Sequence, residues 1–164
     1  MTLKVQPIGT IHSPFVQREG MPIQPRGASE ITGTVEVFPE YAEGLKDLDG
    51  FSHVILLYHF HQSQGYSLTV TPFMDTEKRG LFSTRAPRRP NPIGLSIVRL
   101  LKVEKNILTL QGVDVLDGTP LLDIKPFAPA FDLPEGEIRS GWLEKKDDDV
   151  AGKRSDGRFV QSET

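Results

Sequence analysis

The sequence predicts an all-β protein: a single closed or partly open barrel of about six to eight strands, with a short helix and a C-terminal tail. Three observations lead there. Turn formers are dense, with 15 glycines and 13 prolines among 164 residues, and the apolar runs between them are no longer than a strand. Within those runs apolar residues tend to alternate, the period of a strand with one buried face. Helical spacing is scarce after Asp49, which argues against the alternating strands and helices of a doubly wound sheet.

Taken in order, residues 33–38 alternate and read as a strand. Tyr41, Leu45 and Leu48 fall at helical spacing, so residues 39–49 are expected to hold the short helix. Residues 51–61 are rich in β-formers and read as a buried strand. Residues 67–72 and 81–85 are expected to be further short strands. Residues 95–103 and 107–115, joined by Glu104-Lys105-Asn106, read as a long hairpin. From Phe131 onward apolar residues thin out and charges run together. The expected division is therefore a barrel domain at 1–135 and a charged tail at 136–164, flexible or docked on a partner subunit.

Composition narrows the function classes. There is no cysteine, which excludes disulfides, thiolate catalysis and cysteine-ligated zinc. No signal-peptide-like stretch opens the sequence, and no run approaches the length of a membrane span; the longest apolar run is residues 54–58. A soluble cytoplasmic protein without a membrane partner is expected. The net charge of -3 argues weakly against nucleic acid, although overall charge conceals local patches, and no DNA partner is expected. Glycine-rich nucleotide loops, Walker loops and nucleophile elbows are absent.

Three segments carry chemistry. In Arg85-Ala86-Pro87-Arg88-Arg89-Pro90-Asn91-Pro92-Ile93-Gly94, three prolines exclude a helix or central strand and predict a stiff, exposed loop. No acidic residue occurs from Lys78 to Lys102, so this stretch is expected to form an anion-binding face. The second segment runs from Asp114 to Pro126. Its Asp117-Gly118-Thr119-Pro120 is a turn signal, and its aspartates suit a divalent cation, a ligand hydroxyl or a reacting proton. In the third, His53, His59 and His61 would share one strand face. His59-Phe60-His61 could ligate a transition metal, but no third ligand is identifiable, so no metal is expected.

Together with Ile8-Gly9-Thr10-Ile11-His12-Ser13-Pro14-Phe15, these segments resemble the TrmO (TsaA-like) family. The resemblance rests on Phe51-Ser52-His53 with His59-Phe60-His61, on residues 82–94, and on Asp117-Gly118-Thr119-Pro120 with Asp123-Ile124-Lys125-Pro126. It covers residues 5–130 in order. It implies a homodimeric β-barrel methyltransferase that uses S-adenosylmethionine and acts on N6-threonylcarbamoyladenosine beside the tRNA anticodon. By motif, the cofactor residues would be Gln24, Pro25, Arg26, His61, Gln62, Arg85, Leu95, Asp117, Gly118, Thr119 and Pro120. Arg26 stands where a glycine is more typical. Arg88 and Arg89 would grip tRNA phosphate, and Asp117, Asp123 and His61 are the candidate proton acceptors. The alternative is a non-catalytic barrel that binds RNA or a nucleotide through the same arginine loop.

Overall fold

The protein is described by a computed structural model covering residues 1–21 and 28–144. Gln24, Pro25 and Arg26, and most of the expected tail, lie outside the described residues. Six antiparallel strands close a barrel, in the order β1 (Gly9–His12), β2 (Thr32–Val37), β7 (Ile107–Gln111), β6 (Ile93–Glu104), β3 (His53–His59) and β8 (Thr119–Pro126). Two-residue strands β4 (Thr69–Val70) and β5 (Arg79–Gly80) form a separate ribbon. The fold class expected from the sequence is the one observed.

Alternation builds the core. Val35 and Val37 of β2, Val54 and Leu56 of β3, Val98 of β6, Leu108 and Leu110 of β7 and Leu121 of β8 are almost fully buried inside the barrel, with Ile11 of β1. Each such side chain contributes about 1.5–3 kcal/mol by leaving water. Closure also pairs every edge of these strands, which removes unpaired backbone from the surface. The β6–β7 hairpin forms where expected, although β7 stops at Gln111 rather than 115, with Lys105 in the left-handed region at φ 53° and a register shift between Leu100 and Lys102. Among the described residues no helix is long and apolar enough to cross a membrane.

Several elements differ from expectation. Residues 39–49 hold no α-helix but two 3-10 segments, Pro39–Leu45 and Leu48–Gly50, separated by Asp47 at φ 66°. That left-handed residue breaks the helical period. Residues 81–85 are not a strand. Leu81–Ser83 is a 3-10 turn in which the Ser83 and Thr84 hydroxyls donate to the carbonyls of Gly80 and Leu81, at 2.8 and 2.7 Å. Such local bonds compete with sheet pairing. The strand expected at 67–72 shrinks to β4. Two barrel strands carried no clear strand pattern, β1 because four residues show no period, and β8 because its two prolines disguise it.

His61 does not share the face of His53 and His59. It lies beyond the end of β3, where its amide donates to the His59 carbonyl and the chain turns. The chain near its C-terminal end, up to residue 144, packs on the chain itself. The Trp142 indole N–H donates to Ser83 O at 2.9 Å, and the Arg79 guanidinium lies 5.7 Å from the indole ring. An indole with both a polar partner and a cation at its face is held at several points.

Candidate functional site

Strand direction gathers the chemistry at one end of the barrel. β3 ends at His59 while its neighbours β6 and β8 begin at Ile93 and Thr119, and β1 ends beside the start of β8. That end therefore collects the turn at His61 and Gln62, the proline-rich loop before β6, and the Asp117-Gly118 turn before β8.

The Asp117 turn is anchored to β1. Asp117 Oδ1 accepts the Ser13 amide at 3.1 Å and lies 3.3 Å from His12 Nδ1, while the Asp117 amide donates to Phe15 O at 2.7 Å. His12 Nε2 stands 3.8 Å from Glu36 Oε2. Sequence alone gave His12 no role, because its partner is more than a hundred residues away. Gly118 adopts φ 76°, a conformation that only glycine takes without strain, and the position its Cβ would occupy faces open space. Thr119 is buried and donates its hydroxyl to Leu116 O at 2.7 Å, closing the turn at the base of the strand.

The proline-rich loop is stapled to the His61 turn. Ser63 Oγ donates to Pro87 O at 3.1 Å and Arg88 Nε to Gln64 O at 3.2 Å. Arg89 turns inward, with one nitrogen donating to Thr84 O and Ala86 O at 3.0 and 3.2 Å and its guanidinium 5.8 Å from the centre of the Phe82 ring. The loop is not uniformly exposed: Ala86 is buried and Pro87, Arg88 and Arg89 are part-buried, while Arg85 is exposed. In space the basic stretch is also narrower than in sequence. Arg79 pairs with Asp75 and Glu77 at 2.7 and 3.1 Å, and Lys102 with Glu104 at 2.8 Å.

A buried polar chain lies under this surface. The Tyr58 hydroxyl is 2.9 Å from Ser96 Oγ, which donates to Asp114 Oδ1 at 2.7 Å. Tyr58 and Ser96 are almost fully buried. Burial pushes the Asp114 carboxyl up to about 7, with the Ser96 hydroxyl, its own amide and the positive charge of Arg85 opposing the shift. Tyr58 is pushed far above its ordinary value, by burial first and by Asp114 second, and stays protonated. Asp114 belongs to the segment that the sequence marked, but nothing local distinguished it from its neighbouring aspartates.

His61 moves the other way. Burial first, then the neighbouring His59, lower its pKa, and Arg18 adds to this against one backbone hydrogen bond. Its imidazole is neutral at pH 7, the state that can accept a proton. Gln62 is exposed beside it.

Not every predicted residue gathers here. Asp123 lies along β8, opposite Leu57 of β3, with its carboxylate 2.8 Å from Lys125 Nζ. It lines a groove of about 540 Å³ with Ile8, Tyr41, Leu45 and Phe51, formed by the 39–51 segment. Leu95 sits at the start of β6 and points outward. The outward row of β6 is apolar in its first half, with Ile93, Leu95 and Ile97 each 39–43 % exposed, and Arg99 interrupts it before Leu101. Among the described residues no three histidine, aspartate or glutamate side chains form a group that could hold a metal ion.

Comparison with known proteins covers almost the whole barrel. Residues 10–133 match the family model described as the tRNA-methyltransferase O N-terminal domain. A probable S-adenosyl-L-methionine-binding protein of Pyrococcus abyssi is 57 % identical over 154 residues, 94 % of this chain and 83 % of that one. The tRNA (adenine(37)-N6)-methyltransferase of Mus musculus is 40 % identical over 140 residues, 81 % of this chain but only 32 % of the mouse protein. The crystal structure of TrmO from Pseudomonas aeruginosa superposes with a TM-score of 0.72 at 42 % identity, covering 87 % of this chain and 63 % of that one.

Proposed function

The chain belongs to the tRNA-methyltransferase O N-terminal domain family, and from that premise we propose that it methylates N6 of N6-threonylcarbamoyladenosine beside the tRNA anticodon with S-adenosylmethionine. The observation that carries this reading is the convergence of Arg85, the His61–Gln62 turn and the Asp117–Gly118 turn at one barrel end. The names of the Pyrococcus and mouse relatives support the cofactor and the position of the target adenosine.

The residues present suit that cofactor. An exposed guanidinium at Arg85 matches the methionine carboxylate. The half-exposed Asp117 carboxylate, held by Ser13 and His12, can accept from a ribose hydroxyl or an ammonium group. The open space beside Gly118 lets a ligand approach the backbone closely. When bound, the cofactor supplies a methyl group already activated by its sulfonium, so no Lewis acid is needed for the transfer.

The protein then has three tasks. The two turns and Arg85 orient the donor, because transfer requires in-line approach. His61, kept neutral by its surroundings, takes the proton from the target nitrogen. That nitrogen lies between an adenine ring and a carbonyl, both electron-withdrawing, so its N–H is acidic enough for a weak base. Arg88 and Arg89 contact the threonyl carboxylate or tRNA phosphate with those N–H groups not spent on the loop. A second copy of the chain covers the neighbouring exposed residues Ile93, Leu95 and Ile97 on β6.

The test is methyl incorporation from labelled S-adenosylmethionine into matched tRNAs with and without the threonylcarbamoyl group. Incorporation into the modified tRNA alone is expected, because a site built to pair that carboxylate leaves donors unsatisfied when it is missing. Equal incorporation into both would refute the substrate. Absence of both incorporation and cofactor binding would leave the non-catalytic RNA-binding barrel.

A further inference from the structure

Phe82 stands in the 3-10 turn that opens the proline-rich loop. Leu81 before it is buried, whereas the Phe82 side chain stays 75 % exposed. Single exposed apolar residues are ordinary, and what sets Phe82 apart is how it is held and what surrounds it. The backbone under the ring is fixed on both sides. The Leu81 amide donates to Leu68 O at 2.9 Å, and the Thr84 amide to Leu81 O at 3.0 Å. Ser83 Oγ donates to Gly80 O at 2.8 Å, and the Trp142 indole N–H to Ser83 O at 2.9 Å. A segment tied at so many points holds its aromatic ring in solvent without freedom to fold it away. A ligand that binds such a pre-ordered ring pays little ordering entropy.

The surroundings are cationic. The Arg89 guanidinium lies 5.8 Å from the ring centroid, within reach of a cation–π contact, and is itself fixed by its bonds to Thr84 O and Ala86 O. With a guanidinium over one face, a ring this exposed has the other open. Arg88 follows on the same loop, tied to Gln64 O through Nε alone. The acidic side chains that precede the loop, Asp75 and Glu77, are engaged by Arg79, and from Lys78 to Lys102 the sequence holds none. An open aromatic face beside fixed cations is complementary to a ligand with a flat apolar face joined to negative charge. An unpaired nucleotide has both. A duplex offers its base edges but not its faces, which are already stacked. A second copy of this chain fits less well, because packing on Phe82 would desolvate the neighbouring guanidinium groups.

We propose that Phe82 is a stacking platform for an unpaired RNA base, with Arg89 behind the ring and Arg88 free to meet the adjoining phosphate. The inference rests on the reading that the substrate is a tRNA anticodon loop, and it names how the proline-rich loop takes hold of it. Every base has a π face, so the platform supplies affinity and fixes the position of the loop strand without selecting a sequence. Phe82 lies three residues before Arg85, which ties the stacked nucleotide to the same loop that reaches the candidate cofactor site.

The test is binding of a fluorescently labelled tRNA anticodon stem-loop to the full chain, without S-adenosylmethionine, followed by anisotropy. Phe82→Ala should weaken binding about 5- to 150-fold, the range for loss of one base–aromatic stack. The salt slope should stay as in the wild type, because no phosphate contact is removed. Should the alanine variant fold poorly, Phe82→Tyr and Phe82→Leu carry the comparison: the ring of tyrosine should retain the affinity and leucine, apolar but without a π face, should lose it. Equal binding by wild type, Phe82→Ala and Phe82→Leu would overturn the platform while leaving tRNA as the partner. A wild-type chain that binds no stem-loop would overturn both. If Phe82→Ala turns a wild-type dimer into a monomer without loss of RNA affinity, the ring belongs to a contact between copies and the proposal fails. Trp142 is the only tryptophan of the chain and is bonded to the residue after Phe82, so its emission should change when the stem-loop binds. Unchanged emission at saturating stem-loop would place the RNA on another face and overturn the proposal.

Discussion

At the scale of single residues, two positions in the Pro92-Ile93-Gly94 and His59-Phe60-His61 motifs have different physical reasons. Gly94 is glycine because the Tyr58 and Phe60 rings lie against it where a Cβ would stand. Those rings pack edge to face, with centroids 5.5 Å apart. Gly94→Ala is therefore expected to destabilise the fold by about 1–3 kcal/mol through overpacking, read as a lower denaturation midpoint in urea. An unchanged midpoint would show that the Tyr58 ring can move aside. His61 is a matter of protonation. Its pKa is lowered from 6.5, so the neutral form dominates at pH 7 and is lost only as pH falls through the lowered value. Methyl transfer measured at saturating cofactor should decline on that acid side. His61→Asn should lower kcat by about 10²- to 10⁴-fold and abolish the acid limb. An acid limb that persists in the variant would move the proton acceptor elsewhere, Asp117 being the other candidate at that barrel end.

At the scale of elements, the proline-rich loop holds itself together and, in the proposed function, also grips tRNA, and its two adjacent arginines divide these tasks. Arg89 spends one nitrogen on two loop carbonyls and packs on Phe82. Arg88 makes one bond, from Nε to Gln64 O, and a guanidinium has five donors. Arg88→Ala should leave thermal stability within about 0.5 kcal/mol of wild type and flatten the salt dependence of tRNA binding by about one unit of slope. Arg89→Ala should also weaken tRNA binding, but with a loop that opens more readily, seen as faster amide exchange over residues 84–90. Equal exchange in both variants would show that the prolines alone hold the loop. The sequence made the stiffness of this loop legible through its three prolines. It did not show which arginine turns inward, because that depends on where the carbonyls of Thr84 and Ala86 point after the preceding turn.

At the scale of the whole molecule, the barrel leaves one strand improperly dressed for water. β6 buries Gly94, Ser96, Val98 and Leu100 and presents Ile93, Leu95, Ile97, Arg99 and Leu101 outward. The proposed homodimer over this face would cover these residues and place Leu95 between the interface and the barrel end that holds the candidate site. Ile97→Glu sets an acidic charge within the row, between Leu95 and Arg99. Light scattering at micromolar concentration should give a dimer mass for the wild-type chain and a monomer mass for the variant. A wild-type monomer would remove the dimer, and a dimeric variant would move the interface to another face.

The sequence by itself determined the all-β class, the β6–β7 hairpin, the buried face of β3 and the three chemical segments. These are local matters: period-two alternation, turn residues and proline geometry act over a few neighbours. Only the tertiary structure decided which segments meet. His12 finds Asp117 because β1 and β8 are adjacent when the barrel closes, and Tyr58, Ser96 and Asp114 meet because three distant segments face one interior. Closure also separated Asp123 from Asp117, which the sequence could not rank, by pairing Asp123 with Lys125 farther along β8. The perturbed titration of Asp114 and His61 arises in the same way. Desolvation and neighbouring charge depend on what packs around a group in space, and those neighbours are set by strand order and register rather than by distance along the chain.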